Sequence, residues 1–129
     1  MGIIWDKGIY FIENRTGSKL TLGSFELDRG SFGDKPVFSI DSDTIAHLAF
    51  SAQSDKDSRD GTRGYVEYGL PDGTVLMIRF GVPHKGEITL FVTFQGPRAS
   101  QYSSDVTIEK RLPKGAGRRV WGTIVASAA

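Results

Sequence analysis

The chain has 129 residues, no cysteine, two histidines, and 16 lysine and arginine residues against 15 acidic ones. This length fits one domain, and the lack of cysteine excludes a disulfide scaffold, a thiolate zinc site, an iron–sulfur cluster and a cysteine nucleophile. The net charge is only +1, and side chains suited to acid–base catalysis are few. We therefore expect neither an enzyme nor a nucleic-acid-binding protein, and we expect no metal or cofactor.

Runs of β-branched and aromatic residues, separated by glycine, proline and aspartate, predict strands along the whole chain. In chain order the predicted strands are Gly8–Glu13, Lys19–Leu27, Pro36–Ile40, Thr44–Gln53, Thr62–Leu70, Thr74–Gly81, Glu87–Gln95, Asp105–Lys110 and Arg119–Ala126. Helical periodicity is weak, and one short helix is expected within Pro97–Ser104. Nine or ten short, mostly antiparallel strands at this spacing predict an all-β domain over residues 1–129, either a sandwich or a barrel.

Turn residues support the boundaries between these strands. Pro71-Asp72-Gly73 predicts a tight hairpin, because proline presets φ and glycine accepts a positive φ. Asn14-Arg15-Thr16 is formally a glycosylation sequon, but the start of the sequence shows no secretory signal. We therefore interpret Asn14 as a turn asparagine, and we expect a protein that is cytoplasmic or released by a non-classical route.

Charge is unevenly distributed along the chain. Residues 1–64 carry 8 basic and 10 acidic side chains, whereas residues 65–129 carry 8 basic and 5 acidic ones. Most of the basic excess lies in Arg98–Arg119. Such a stretch either attracts phosphate or sulfate, or forms an ordinary solvated strand edge that lysine and arginine protect from aggregation. We favour the solvated edge.

Residues able to support catalysis or metal binding are scattered. His47 lies within a predicted strand, where we expect an ordinary surface or hydrogen-bonded histidine. His84 lies in a predicted loop and is better placed to contact a ligand. The acidic run Ser54–Gly61 lacks the glutamate that completes an EF-hand calcium loop, and we interpret it as a solvated loop. We predict no catalytic residue and no metal ligand.

An ordered series of turn motifs runs through the first two thirds of the chain. The first predicted strand ends in Glu13-Asn14-Arg15-Thr16-Gly17, and Gly61-Thr62-Arg63-Gly64 follows later. Then come Leu70-Pro71-Asp72-Gly73-Thr74 and Phe80-Gly81-Val82-Pro83. This order resembles the cytolysin/lectin superfamily, with similarity to two of its branches, the aegerolysins and the actinoporin-like proteins.

The resemblance implies a single β-sandwich that binds membrane lipid without catalysis, as a toxin-type recognition component acting at membranes. It implies a sphingolipid-like phosphate headgroup as the ligand, with a lectin-like glycan-binding protein on the same scaffold as the alternative. Actinoporins begin with a long amphipathic segment that forms the pore, whereas the first predicted strand here starts near Gly8. We therefore expect no autonomous pore formation, which leaves a pore to a separate protein partner.

The chemistry of a lipid headgroup suggests which loop residues bind it. A phosphate is bound by cations or backbone N–H groups, and a quaternary ammonium group by aromatic faces. Arg29, Lys85 and Arg98 are cations in predicted loops, and Tyr102 is an aromatic residue in another. The resemblance adds one serine and one proline, and His84 neighbours that proline. The predicted headgroup or glycan site consists of Arg29, Ser31, Pro83, His84, Lys85, Arg98 and Tyr102.

Overall fold

Regular structure in the computed structural model, which describes residues 2–111 and 117–129, consists of ten strands and one 3₁₀ turn. The strands are β1 (Lys7–Arg15), β2 (Leu20–Arg29), β3 (Ser31–Asp34), β4 (Ser39–Ile40), β5 (Thr44–Gln53), β6 (Thr62–Gly69), β7 (Val75–Val82), β8 (Thr89–Gln95), β9 (Tyr102–Arg111) and β10 (Arg119–Ala128). The 3₁₀ turn is Ala99–Gln101. No helix in the described part of the chain is long and apolar enough to cross a membrane.

The strands form two five-stranded sheets. Sheet 1 has the order β3-β5-β1-β10-β9, and sheet 2 has the order β4-β2-β6-β7-β8. Nearly all neighbours are antiparallel, as expected, but β1 and β10 pair in parallel from Lys7–Arg119 to Arg15–Ser127. The predicted all-β sandwich with mostly antiparallel strands is confirmed, and the barrel alternative is wrong.

The core lies between the two sheets and is centred on three aromatic rings. Tyr10 stacks on Phe50 with ring centroids 4.8 Å apart, and Phe80 lies 5.1 Å from the first ring and 5.2 Å from the second. Alternate residues of β1 and β10 point into this core, because successive side chains of a strand face opposite sides. Burial of this apolar surface is the main force that holds the two sheets together.

The structure corrects several predicted strand boundaries. The segment predicted as Pro36–Ile40 contributes only Ser39–Ile40, because Pro36 has no N–H to donate to a ladder. The strand β3 was not predicted, since its four residues include a glycine and show little alternation. β9 begins at Tyr102, three residues before the predicted start, because its first three residues, two of them serines, pair with the last three residues of β10.

Local turns follow their sequence signals closely. In the hairpin between β6 and β7, the Gly73 N–H donates to the Leu70 carbonyl, and Gly73 has φ of 89°. The Asp72 carboxylate accepts a hydrogen bond from the Thr74 N–H. The single 3₁₀ turn lies inside the segment predicted to hold a short helix. Asn14, interpreted as a turn residue, lies near the end of β1, and its buried side chain hydrogen-bonds to Thr16 and Ser18 of the following turn.

Strand directions place the loops at two opposite ends of the sandwich. We call one end the Asp6 end; it contains residues 2–6, Arg29–Ser31, Ser54–Gly61 and Pro83–Ile88. The other is the Asp72 end, with Thr16–Lys19, Leu70–Thr74 and Gly96–Tyr102. An eight-residue strand such as β7 separates the two ends by about 25 Å, at roughly 3.3 Å per residue.

Candidate functional site

A buried carboxylate organises the Asp6 end. The side chain of Asp6 has no solvent exposure, and its two oxygens lie 3.1 Å from the Arg118 N–H and 3.1 Å from His84 Nδ1. Its backbone N–H donates to Ser54 Oγ, and its carbonyl accepts from the Ser54 N–H. One residue therefore ties the start of the chain to two loops and to the start of β10.

Aromatic and cationic side chains reinforce this end. His84 packs edge-on against the Trp5 ring at 5.8 Å, and the Arg59 guanidinium lies 4.5 Å from the centroid of the same ring. The Arg119 side chain donates to the carbonyls of Ile4 and Trp5 at 3.0 and 2.8 Å. Such contacts fix the loops around the site in one arrangement, which lowers the conformational entropy lost when a ligand binds.

A pocket of about 240 Å³ opens on the outer face of sheet 2 at the Asp6 end; we call it the end pocket. Four of its residues form one row across four paired strands, in which Arg29 lies opposite Arg63, Arg63 opposite Gly81, and Gly81 opposite Thr89. The complete lining is Arg29, Asp60, Thr62, Arg63, Gly81, Pro83, Glu87 and Thr89.

The floor of the end pocket is open because residue 81 is glycine. A Cβ atom at Gly81 would lie 2.9 Å from Thr89 Oγ1 and 3.9 Å from Arg63 Cγ, so even a small side chain would occupy the space between these two residues. The Thr62 hydroxyl donates to the Arg29 carbonyl at 3.2 Å and joins β6 to the end of β2. Hydrogen bonds between neighbouring strands therefore keep the walls of the end pocket in place.

The charges of the end pocket are only partly neutralised within the protein. Arg63 Nε lies 3.2 Å from an Asp28 carboxylate oxygen, and both side chains are more than half exposed. None of the ion pairs between described residues involves Arg29. Two arginines directly opposite one another on paired strands repel. A bound anion would relieve that repulsion.

Five of the seven predicted site residues lie at the Asp6 end. Arg29 and Pro83 line the end pocket, and His84 and Lys85 continue the loop that starts at Pro83. Ser31 opens β3 at the same end and is exposed. His84 is largely committed to Asp6 and Trp5, so its structural role is larger than the sequence indicated.

The other two predicted residues lie about 25 Å away at the Asp72 end, and so the seven do not form one site. The Tyr102 hydroxyl donates to the Asp72 carboxylate at 2.6 Å, and its ring stacks on Phe94 with centroids 5.2 Å apart. This hydrogen bond lowers the pKa of Asp72 and raises the pKa of Tyr102. Arg98 lies just before the 3₁₀ turn and adds positive potential there.

The basic stretch Arg98–Arg119 does not form one surface. Arg98 belongs to the Asp72 end, whereas Arg118 and Arg119 bind backbone carbonyls at the Asp6 end. Arg111 is exposed on β9, and Lys114 lies outside the described residues. The arginine of β9 is therefore exposed on a strand edge, while the arginines at the start of β10 have structural roles.

Six residues of the end pocket were not predicted as site residues from the sequence, and one of them, Gly81, lies in the Phe80–Pro83 motif. Thr62 and Arg63 belong to the Gly61–Gly64 motif, which therefore contained a signal for the site. Thr89 reaches the pocket through its pairing with Gly81, whereas Asp60 and Glu87 lie in the loops before β6 and β8. A shallower depression of about 450 Å³ lies on the outer face of sheet 2 towards the Asp72 end, and none of the predicted residues lines it.

No family model matches the chain, and no curated protein matches it in sequence. Solved structures do match. Over 98% of its length the chain is similar to the lipid-binding protein Nakanori, with a TM-score of 0.70, 17% identity and coverage of 72% of that chain. The chain has an aegerolysin-like fold. The predicted resemblance is thereby confirmed at the level of the fold.

Two further structures share this aegerolysin-like fold. RahU protein, solved in complex with a Tris molecule, matches with a TM-score of 0.61 and 12% identity, over 98% of this chain and 96% of that one. IP-1A from Alcaligenes faecalis matches with a TM-score of 0.58 and 17% identity, over 95% and 90% of the two chains. At these identities the similarity establishes the fold, and the function has to be argued from the site.

Proposed function

We propose that this protein is a non-enzymatic membrane-lipid-binding protein that recognises a phosphate-bearing, sphingolipid-like headgroup in the end pocket. The observation that carries the proposal is the row of Arg29 opposite Arg63 beside the open floor at Gly81. The sharing of its fold with a lipid-binding protein supports the same function.

In this proposal the phosphate lies between the two guanidinium groups. Arginine binds phosphate with several parallel N–H donors, and such charge-assisted hydrogen bonds are about twice as strong as neutral ones. Arg29 is the more available of the two, since Arg63 already contacts Asp28. The Thr89 hydroxyl at the far end of the row supplies a further donor to the headgroup.

The rest of the lining favours a headgroup that also carries a primary ammonium group. Asp60 and Glu87 are exposed carboxylates at the pocket and accept hydrogen bonds from an ammonium group. A quaternary ammonium group cannot donate such bonds and is bound instead by aromatic faces. The residues that line the end pocket include no aromatic side chain. Phosphoethanolamine therefore fits it better than phosphocholine.

The glycan-binding alternative receives less support from the same pocket. Lectin sites commonly combine hydroxyl recognition with an apolar face against the sugar, and the exposed lining here is dominated by charged groups. We also propose that the protein acts at membranes without chemistry on the lipid and leaves pore formation to a partner protein.

Vesicle sedimentation tests the proposal. Vesicles of phosphatidylcholine alone are compared with vesicles that also contain sphingomyelin or ceramide phosphoethanolamine. We expect binding to the sphingolipid vesicles, with preference for the ethanolamine headgroup. Arg29→Ala removes one charge-assisted contact and should weaken binding about 10- to 100-fold, which corresponds to the roughly 1.5–3 kcal/mol of such a hydrogen bond.

Two further variants locate the site. Gly81→Val fills the pocket floor from the outer face of the sheet and should abolish binding while leaving the core intact. Arg98→Ala, an exposed arginine at the Asp72 end, is the matched control and should bind like the wild type. Loss of binding in the control alone would place the headgroup at the other end of the sandwich. Failure to bind any sphingolipid vesicle, together with hits on a glycan array, would favour the lectin-like alternative.

A further inference from the structure

The strand β9 exposes an unusually long free edge. It pairs with β10 through ten consecutive residues without a bulge, and within the described residues no strand pairs with its other edge. The other outer strands are shorter, with four residues in β3, two in β4 and seven in β8. Soluble proteins usually shorten or interrupt such edges because their free N–H and C=O groups recruit further strands.

The same strand exposes apolar side chains on the face that is turned towards the core. Val106 pairs with Ile124 and Ile108 with Gly122, so both share the inward face of sheet 1. They nevertheless remain 36% and 37% exposed. A strand added beside β9 would cover these two residues and pair the free backbone groups at once.

The charges on the outward face of β9 indicate which strand fits there. Asp105, Thr107, Glu109 and Arg111 alternate along this face and are all exposed. Asp105 takes part in none of the ion pairs between described residues. Arg111 forms an ion pair with its exposed neighbour Glu109, at 3.7 Å, and its guanidinium lies 5.4 Å from the centroid of the Trp121 ring. An exposed ion pair of this kind contributes little to stability, so the charges of Asp105 and Arg111 are both available to a partner strand.

We propose that β9 pairs in antiparallel orientation with β9 of a second copy of this chain, about a two-fold axis at Ile108. In this register Asp105 lies opposite Arg111 of the second copy, and Arg111 lies opposite Asp105 of the second copy. Ile108 meets its own equivalent, and both are covered. A register centred one residue earlier, on Thr107, would place Asp105 opposite Glu109 and be disfavoured by repulsion between like charges. Sheet 1 of one copy and sheet 1 of the second copy then form one continuous ten-stranded sheet.

Sedimentation velocity over a concentration series, without lipid, tests this interface. We expect the wild-type protein to dimerise reversibly as concentration rises. Asp105→Arg and Arg111→Asp each place like charges opposite one another at two positions, and each should raise the dimer dissociation constant about tenfold or more. The matched control is Arg98→Asp, which changes net charge as Arg111→Asp does but lies outside β9, and it should dimerise like the wild type.

A mixing experiment separates loss of pairing from loss of folding. When the Asp105→Arg and Arg111→Asp proteins are combined in equal amounts, each position again faces an opposite charge, and the mixture should dimerise. The interface is refuted if the wild-type protein stays monomeric at every concentration, if either single variant dimerises as well as the wild type, or if the mixture stays monomeric. These results do not depend on lipid binding, so the two proposals fail separately.

Discussion

Replacing Asn14 with alanine should destabilise the protein more than almost any other single change at the Asp72 end. Its amide Nδ2 donates to the carbonyls of Ser18 and Ile40 at 2.8 and 3.0 Å. Its Oδ1 accepts from the N–H and the hydroxyl of Thr16 at 3.1 and 2.7 Å. The residue thereby joins β1, the following turn and β4, and it has no solvent exposure.

The magnitude follows from these four hydrogen bonds. Each contributes about 0.5–1.5 kcal/mol net, and partners left buried and unpaired add a desolvation penalty. Because the Ser18 carbonyl is only partly buried and regains water, we expect a loss of about 3 kcal/mol in the free energy of unfolding. In a domain of this size that loss corresponds to a fall of about 12 °C in Tm.

Urea and thermal unfolding monitored by circular dichroism measure this loss. The control is Arg15→Ala at the neighbouring position, since the Arg15 side chain is 63% exposed and forms its ion pair with Glu13. We expect the control to change stability by less than about 0.5 kcal/mol. Asn14→Asp keeps the acceptor oxygen but turns a carboxylate towards two carbonyls, so it should cost at least as much as alanine. A loss below about 1 kcal/mol for Asn14→Ala would refute this account of the turn.

Two further predictions concern tyrosine hydroxyls. Tyr68 donates to the Val37 carbonyl at 2.9 Å, whereas the buried Tyr10 hydroxyl has no partner among the described residues. Urea unfolding should therefore show a loss of about 1 kcal/mol for Tyr68→Phe and no loss for Tyr10→Phe, and a loss in the second variant would reveal a partner such as water. Tyr102→Phe should raise the pKa of Asp72 towards its usual value of 3.8, as measured by carboxyl NMR titration. Because that pKa is lowered in the folded state, the ionised carboxylate stabilises the fold above pH 3.8, and this contribution is lost as pH falls through the folded-state pKa.

Local signals in the sequence were sufficient for much of the fold. The hairpin at Pro71-Asp72-Gly73 and the turn at Asn14 form as predicted, since the conformational preferences and short-range hydrogen bonds of these residues act within a few positions. The strand β5 was found at its full length, because its ten residues carry enough apolar and β-branched side chains to be recognised. The strand β3 has four residues, and these carry too few such side chains to be recognised as a strand.

The candidate site could be predicted only in part. Arg29 was found by its charge and loop position, but the position of Arg63 opposite it depends on the register between β2 and β6. Register is set by tertiary packing, and a shift of one residue would reverse the side-chain faces. Arg98 and Tyr102 were grouped with residues at the other end of the sandwich, because the tertiary arrangement of the strands was likewise unknown. The end of the sandwich that a loop occupies depends on the directions of all the strands before it, and the spacing of residues does not fix those directions.

The parallel pairing of β1 with β10 has a consequence for biosynthesis. The residues that meet at its start, Asp6 and Arg118, are 112 positions apart in the chain. On the ribosome, β1 has only β5 as a neighbour in its sheet until β10 has been made, and its other edge stays open meanwhile. Contacts between such distant segments form slowly, and an open apolar strand recruits other chains during the delay. The yield of soluble protein should therefore depend on how quickly β10 is delivered, and slower translation of the segment before it should favour aggregation.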